Sequence, residues 1–160
     1  MQEIFLENKT IIVFLHVISA VVWVGGMIAM RFAAHQSFMT IESPQKRLEH
    51  IAHALKRLFT IVFPFVIILI ITAVFMLIGY DIKNTDFNSI AHAKEGIWVV
   101  MFISLMVMIS RRNKGVKFLN SGDTFRAKEQ IEIIGKYMVP INIILGICAI
   151  FLGTLVSSSI

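Results

Sequence analysis

The chain has 160 residues, 57% of them hydrophobic and 16% charged, with a formal net charge of +5 and a mean hydropathy of +0.80. A soluble domain of this length carries nearer a quarter charged residues, so the composition excludes a soluble catalytic module and points to one integral membrane domain over residues 1–160. The positive charge sits in the connections between apolar runs, which speaks for membrane topology and against a nucleic-acid partner.

The first run, Ile11 to Met30 (IIVFLHVISAVVWVGGMIAM), is 20 residues without a charge. At about 1.5 Å per residue it crosses a hydrocarbon core roughly 30 Å thick. The leader MQEIFLENK lacks a basic segment and no small-residue cleavage site follows, so this run is expected to remain a span rather than a removed signal. In the connection that follows, PQKRLEHIAHALKRL places Leu48, Ile51, Ala52 and Leu55 on one face. His50 and His53, beside Glu49, fall on a solvated one, as expected of an amphipathic lead-in to the second helix. His35 lies in the same connection. The second run is Leu58 to Tyr80.

The third is short: 15 uncharged residues between Glu95 and Arg111 make about 22 Å of helix, so the helix has to begin near Ile90 and draw His92, Lys94 and Glu95 into its first turns. The fourth runs from Tyr137 to about Val156 and holds Cys148, which has no partner for an internal disulfide and reads as a packing thiol. The expectation is an all-α bundle of four transmembrane helices, about 10–31, 56–80, 90–112 and 136–157. Arg31, Lys46, Arg47, Lys56 and Arg57 lie in the first long connection. Arg111, Arg112, Lys114, Lys117, Arg126, Lys128 and Lys136 lie in the second, against only Lys9, Lys83 and Lys94 elsewhere. The positive-inside rule then puts both long loops in the cytoplasm and both termini outside, in a bacterial cytoplasmic membrane.

Depth singles out the functional candidates. His16 lies 15 residues before Arg31 and Lys94 lies 17 before Arg111, so the two side chains reach similar levels. His16 precedes Pro64 by 48 residues and His92 precedes Pro140 by 48, a faint parallel repeat that would bring His16 toward His92 and Lys94 across the bundle. An ionisable group at that depth costs kilocalories and marks a functional site by default.

His16, Ala20, Trp23, Met27 and Met30 share one helix face beside Gly25 and Gly26, and Lys94, Trp98, Met101, Leu105 and Met108 form a similar stripe. A buried imidazole among small residues, aromatics and methionines suits a porphyrin held between helices. His16 would ligate its iron, and His92 or Lys94 would give the opposite ligand or a charge for the propionates. Trp23, Gly26 and Trp98 would line the cofactor. The alternative is a copper-handling inner-membrane permease with His16, Met27 and Met30 along its path, since the nine methionines include Met27-x-x-Met30 and thioethers suit Cu(I). A scaffold subunit in which His16 makes only an interhelical hydrogen bond is the third reading. No Ser/His/Asp set, phosphate loop or dinucleotide glycine motif is present.

The segment LHVISAVVWVGGMIAM resembles the first helix of proteins related to copper-resistance protein D and to HemJ-type protoporphyrinogen oxidases, in which a histidine is followed seven residues later by tryptophan, as His16 and Trp23 stand here. The likeness continues at RLFTIVFPF (Arg57 to Phe65) and at HAK (His92 to Lys94), touching three of the four helices. It implies a haem b site with His16 as ligand, and it matches Lys94 to a lysine held essential for catalysis in the HemJ-type enzymes. The chain departs from the HemJ pattern where FAAH follows Arg31 and where Met138 and Val139 precede Pro140. The resemblance therefore implies a divergent relative of copper-resistance protein D: a homodimeric redox protein carrying electrons or oxidising a small hydrophobic substrate, with a quinol or porphyrinogen as candidate.

Overall fold

In the computed structural model, which describes residues 2–80 and 88–157, every regular element is helical. Lys83, counted above among the connections, lies outside the described residues. Helix α1 (Gln2–Ala29) continues through a π-helical turn (Met30–Ala34) into the short α2 (His35–Met39), broken only at Asn8, where the backbone leaves helical angles. Helix α3 is Pro44–Gly79 and α4 is Asn88–Asn120. Helix α5 (Thr124–Ile133) passes through a second π-helical turn (Ile134–Met138) into α6 (Val139–Ser157). Four of these stretches are long and apolar enough to cross a membrane.

The helices are longer than the apolar runs that nucleate them, and local chemistry sets their ends. Ser43 caps α3 by accepting from the Lys46 amide, with Pro44 at the first turn where its missing N–H costs nothing. The amphipathic lead-in is therefore one rigid helix with the second span. Leu48, Ala52 and Leu55 are buried along it, while His50 and His53 are exposed. Helix α4 ends in a Schellman turn: Gly122, at φ 80°, donates to Leu119 O, and the Asp123 amide reaches Phe118 O at 3.0 Å. Asp123 then caps α5.

The four long stretches run antiparallel in a ring, each packed on the two beside it, so that α1 and α4 stand on one diagonal. Phe5 sits edge-on to Tyr80 at one end of the α1–α3 pair, and at the other Gly26 admits Leu58. In the second hairpin Gly115 admits Ile131. Both described chain ends thus lie at one end of the bundle, and the arginine- and lysine-rich segments at the other.

The core is apolar, and so is most of the outer surface of the spans. Isoleucine, valine and phenylalanine cover the outside, and Ser19, Thr72 and Asn142 are buried. A hydrocarbon surround makes that arrangement stable.

At the basic end, the Arg112 Nε donates to the Ala52 carbonyl of α3 at 2.9 Å, locking the extension of α4 to that of α3. Arg112→Met should lower stability by about 1 kcal/mol, whereas Lys117→Met, at an exposed position, should change it by less than about 0.5 kcal/mol. Thermal melting of both variants in the same detergent measures the difference.

Candidate functional site

Gly146 fixes a common level for three helices. A Cβ there would lie 2.5 Å from Val24 Cγ2 and 3.3 Å from Met101 Cε, so α1, α4 and α6 touch at that height. Eight residues from Val24 toward the terminal end is His16, seven from Met101 is Lys94, and seven from Gly146 is Gly153. These steps are each about 10–12 Å of helix, so all three residues arrive in one layer. The contacts agree. The Lys94 Nζ lies 3.0 Å from where a Gly153 Cβ would stand. Helix α3 adds Thr72 to the same layer, 3.0 Å from His16 Nδ1.

The hydrogen bonding of Thr72 bears on the tautomer of the imidazole. Its Oγ1 lies 2.8 Å from Ile68 O and 3.0 Å from Leu69 O. Carbonyls only accept, so the single hydroxyl proton points back into α3, the common bond of a threonine inside a helix. With that proton on a carbonyl, the oxygen accepts toward His16 and Nδ1 donates, which is the Nδ1–H tautomer of the neutral imidazole. The Leu69 backbone is a second hydrogen-bond partner of the ring.

Lys94, half-buried, has no hydrogen-bond or ion-pair partner among the described residues. Two buried donors nearby are also unsatisfied: neither the Trp23 Nε1–H nor the Trp98 Nε1–H finds an acceptor among the described residues. An orphaned buried donor costs about 1–3 kcal/mol; Trp23 lies within the close-packed core, and Trp98, one turn along α4 from Lys94, stands at the edge of the His16 layer, where an acceptor-bearing guest would meet it.

The close-packed core stops just below this layer. Among the described side chains, Met101 is the first buried along α4 and Gly146 the last buried residue along α6; from His92 to Val100 and from Ile147 to Leu155 none is buried. Across the ring, α1 and α3 keep Ile12, Ser19 and Thr72 buried at the same heights. At this end of the bundle α1 and α3 therefore bury more than α4 and α6, and His16 and Lys94 stand half-buried between them.

The other sequence candidates are distributed differently. His92 is exposed and pairs with Glu95, Nδ1 to Oε2 at 3.1 Å, so the 48-residue spacing gives the two histidines no equivalent surroundings. Trp98 stacks on Phe102, ring centroids 5.1 Å apart. Gly26 admits Leu58 of α3 and lines an open groove with Ala29, Met30 and Ala33, about 15 Å of helix below His16. Met27 is fully buried in the central core with Met101 and Met108, as packing residues are.

Sequence reasoning missed Thr72, Gly153 and the buried Asn142, whose Nδ2 donates to Ser104 Oγ at 2.6 Å and to Met138 O at 2.8 Å. Each is a polar or minimal residue inside an apolar run, which was the available signal. Among the described residues no cluster of three or more histidine, cysteine, aspartate or glutamate side chains forms a metal cage. One imidazole with a lysine opposite is the donor set available, and it fits a metal that brings most of its own ligands, as a porphyrin iron does. No protein-family model, no curated protein and no solved structure matches the chain.

Proposed function

We propose that the chain is a haem b-binding redox protein of a bacterial cytoplasmic membrane, with His16 Nε2 as the iron ligand and Lys94 facing it from the diagonal helix. The observation that carries this reading is a half-buried imidazole inside a membrane-length helix, held at Nδ1 by Thr72 of α3, with the Lys94 amine in the same layer of the bundle. Ligating histidines characteristically donate their other ring N–H to a fixed acceptor, which holds the tautomer and the plane of the ring.

Thr72 orients the imidazole, and Gly153 leaves space for the lysine amine. Lys94, rather than the exposed His92, offers the second ligand or the cation for a propionate. The indole N–H of Trp98 offers a donor to the edge of the guest. Bound haem would supply a one-electron couple, suited to carrying electrons or to oxidising a small hydrophobic substrate such as a quinol. The excess of lysine and arginine at the far end supports a cytoplasmic location for that end, with the His16 layer near the outer face.

The test is the visible spectrum of the full chain purified from haem-replete cells. A Soret band stoichiometric with protein is expected. Colourless protein that also fails to take up added haem would overturn the reading and leave His16 as an interhelical hydrogen bond to Thr72.

A further inference from the structure

A second feature stands apart from the His16 layer, some 17 residues along α4 from Lys94. An open groove of about 750 Å³ follows one face of α4 from Val107 to Ser121, with Gln130 of α5 on its far wall. Ser110, Arg111, Lys114 and Lys117 line it at helical steps of three and four, so three cations project from one stripe. Among the described residues none of the three lies within ion-pair distance of a carboxylate; the only such pairs there are His92–Glu95 and Arg126–Asp123. Arg111 is positioned rather than free, its Nη1 donating to Gln130 Oε1 at 3.2 Å.

The groove is continuous with the outward apolar face of the same helix. Val100, Ile103 and Val107, at the same three- and four-residue steps, are 53%, 57% and 40% exposed, and they lead directly into Ser110 and Arg111. A molecule lying along this stripe meets hydrocarbon-facing side chains first, and then a hydroxyl and three cations. That sequence of surfaces matches one acyl chain and its anionic headgroup. A free phosphate would have no use for the apolar half.

We infer that this groove is a binding site for an anionic phospholipid, with the phosphodiester held by Arg111, Lys114 and Ser110 and the acyl chain along Val107, Ile103 and Val100. Lys117 stands one turn beyond, so a lipid with two phosphodiesters uses the groove more fully than one with a single phosphate. Basic pockets beside spanning helices recognise such headgroups through charge-assisted hydrogen bonds.

The experiment uses the full chain reconstituted in phosphatidylcholine vesicles with a minor share of phosphatidylglycerol, then extracted into neutral detergent. Mass spectrometry counts the phosphatidylglycerol retained per chain. Wild-type protein should retain it selectively over phosphatidylcholine. The triple change Arg111→Gln, Lys114→Gln, Lys117→Gln should lower retention about tenfold or more, and Lys46→Gln, Lys56→Gln, Lys128→Gln, equal in charge change, should leave it intact. Because Arg111 also holds Gln130, the double change Lys114→Gln, Lys117→Gln covers the case in which the triple fails to fold, and it should still lose most of the retention.

Equal loss in the charge-matched control would reduce the effect to surface charge and overturn the site. Retention unchanged in both groove variants would do the same. Displacement of the lipid by millimolar inorganic phosphate would assign the groove to a soluble anion instead.

Discussion

Replacing His16 by alanine is expected to remove bound haem altogether, and replacing Thr72 by valine to weaken its retention without removing it. The two changes act on different atoms. His16→Ala deletes the imidazole, and with it the nitrogen that would ligate the iron. Thr72→Val keeps the volume of α3 but deletes the acceptor that fixes the ring, and losses of this kind typically cost ten- to a hundredfold in metal affinity. The same change frees the Ile68 and Leu69 carbonyls from a side-chain bond they do not need for the helix, so the stability cost should stay near 1 kcal/mol.

Ser19→Ala is the control. Its buried Oγ donates to Leu15 O of its own helix at 2.6 Å, so its loss should leave the Soret band unchanged. Haem titration of the three variants, followed at the Soret band alongside thermal melting, separates ligand from scaffold. If His16→Ala and Thr72→Val were both to melt early while binding haem as the wild type does, the imidazole would be an interhelical brace and nothing more.

The two unsatisfied indoles bear on the same choice. An interhelical brace requires only His16 and Thr72, which satisfy one another. It gives no reason for two buried tryptophan N–H groups and an unpaired lysine on the faces turned toward them. In an apolar surround each unmet donor is costly, and membrane interiors offer few waters to meet it. A guest bearing acceptors accounts for Lys94 and Trp98 together, while the Trp23 N–H lies within the packed core. The methionines carry no such signal: Met27, Met101 and Met108 are simply buried among Leu105 and Val62.

Much of this was legible before any coordinates. Twenty uncharged residues from Ile11 to Met30 left no alternative to a long helix, and counting residues from Arg31 and Arg111 placed His16 and Lys94 at one depth, which is where the Gly146 contact puts them. The ends were less legible. Charged segments such as PQKRLEH and RRNKGVK carry no hydropathy signal, yet they continue α3 and α4 because Ser43 and Gly122 cap them far beyond the apolar runs.

Side-chain partnership was not legible at all. Nothing in IILIITAV marks Thr72 as the acceptor for His16, because that pairing depends on the register between α1 and α3 rather than on either sequence alone. The choice between His92 and Lys94 was hidden for a related reason. They are two residues apart, so they point to different sides of one helix, and only the packing of α4 against α6 says which side is inward.

Gly146→Leu should be strongly destabilising, because three helices meet at this glycine. A Cβ at that position already lies 2.5 Å from Val24 Cγ2, closer than real side chains approach, and the three further carbons of leucine extend toward Met101. Val24 and Met101 are themselves buried, so neither can swing aside into open space. Helix α6 must then retreat from both α1 and α4, and the loss should reach or exceed the upper end of the roughly 1–3 kcal/mol typical of overpacked cores. The retreat also carries Gly153 away from the Lys94 amine, so loss of haem retention should accompany the loss of stability. Gly25→Leu is the matched comparison: a Cβ there meets nothing within 4 Å, and a leucine on that exposed face gains helix propensity. It should melt at or slightly above the wild-type temperature with its Soret band intact. A Gly146→Leu protein that melts with the wild type would mean that α1, α4 and α6 do not meet at this glycine, and the common level of His16, Lys94 and Gly153 would be lost with it.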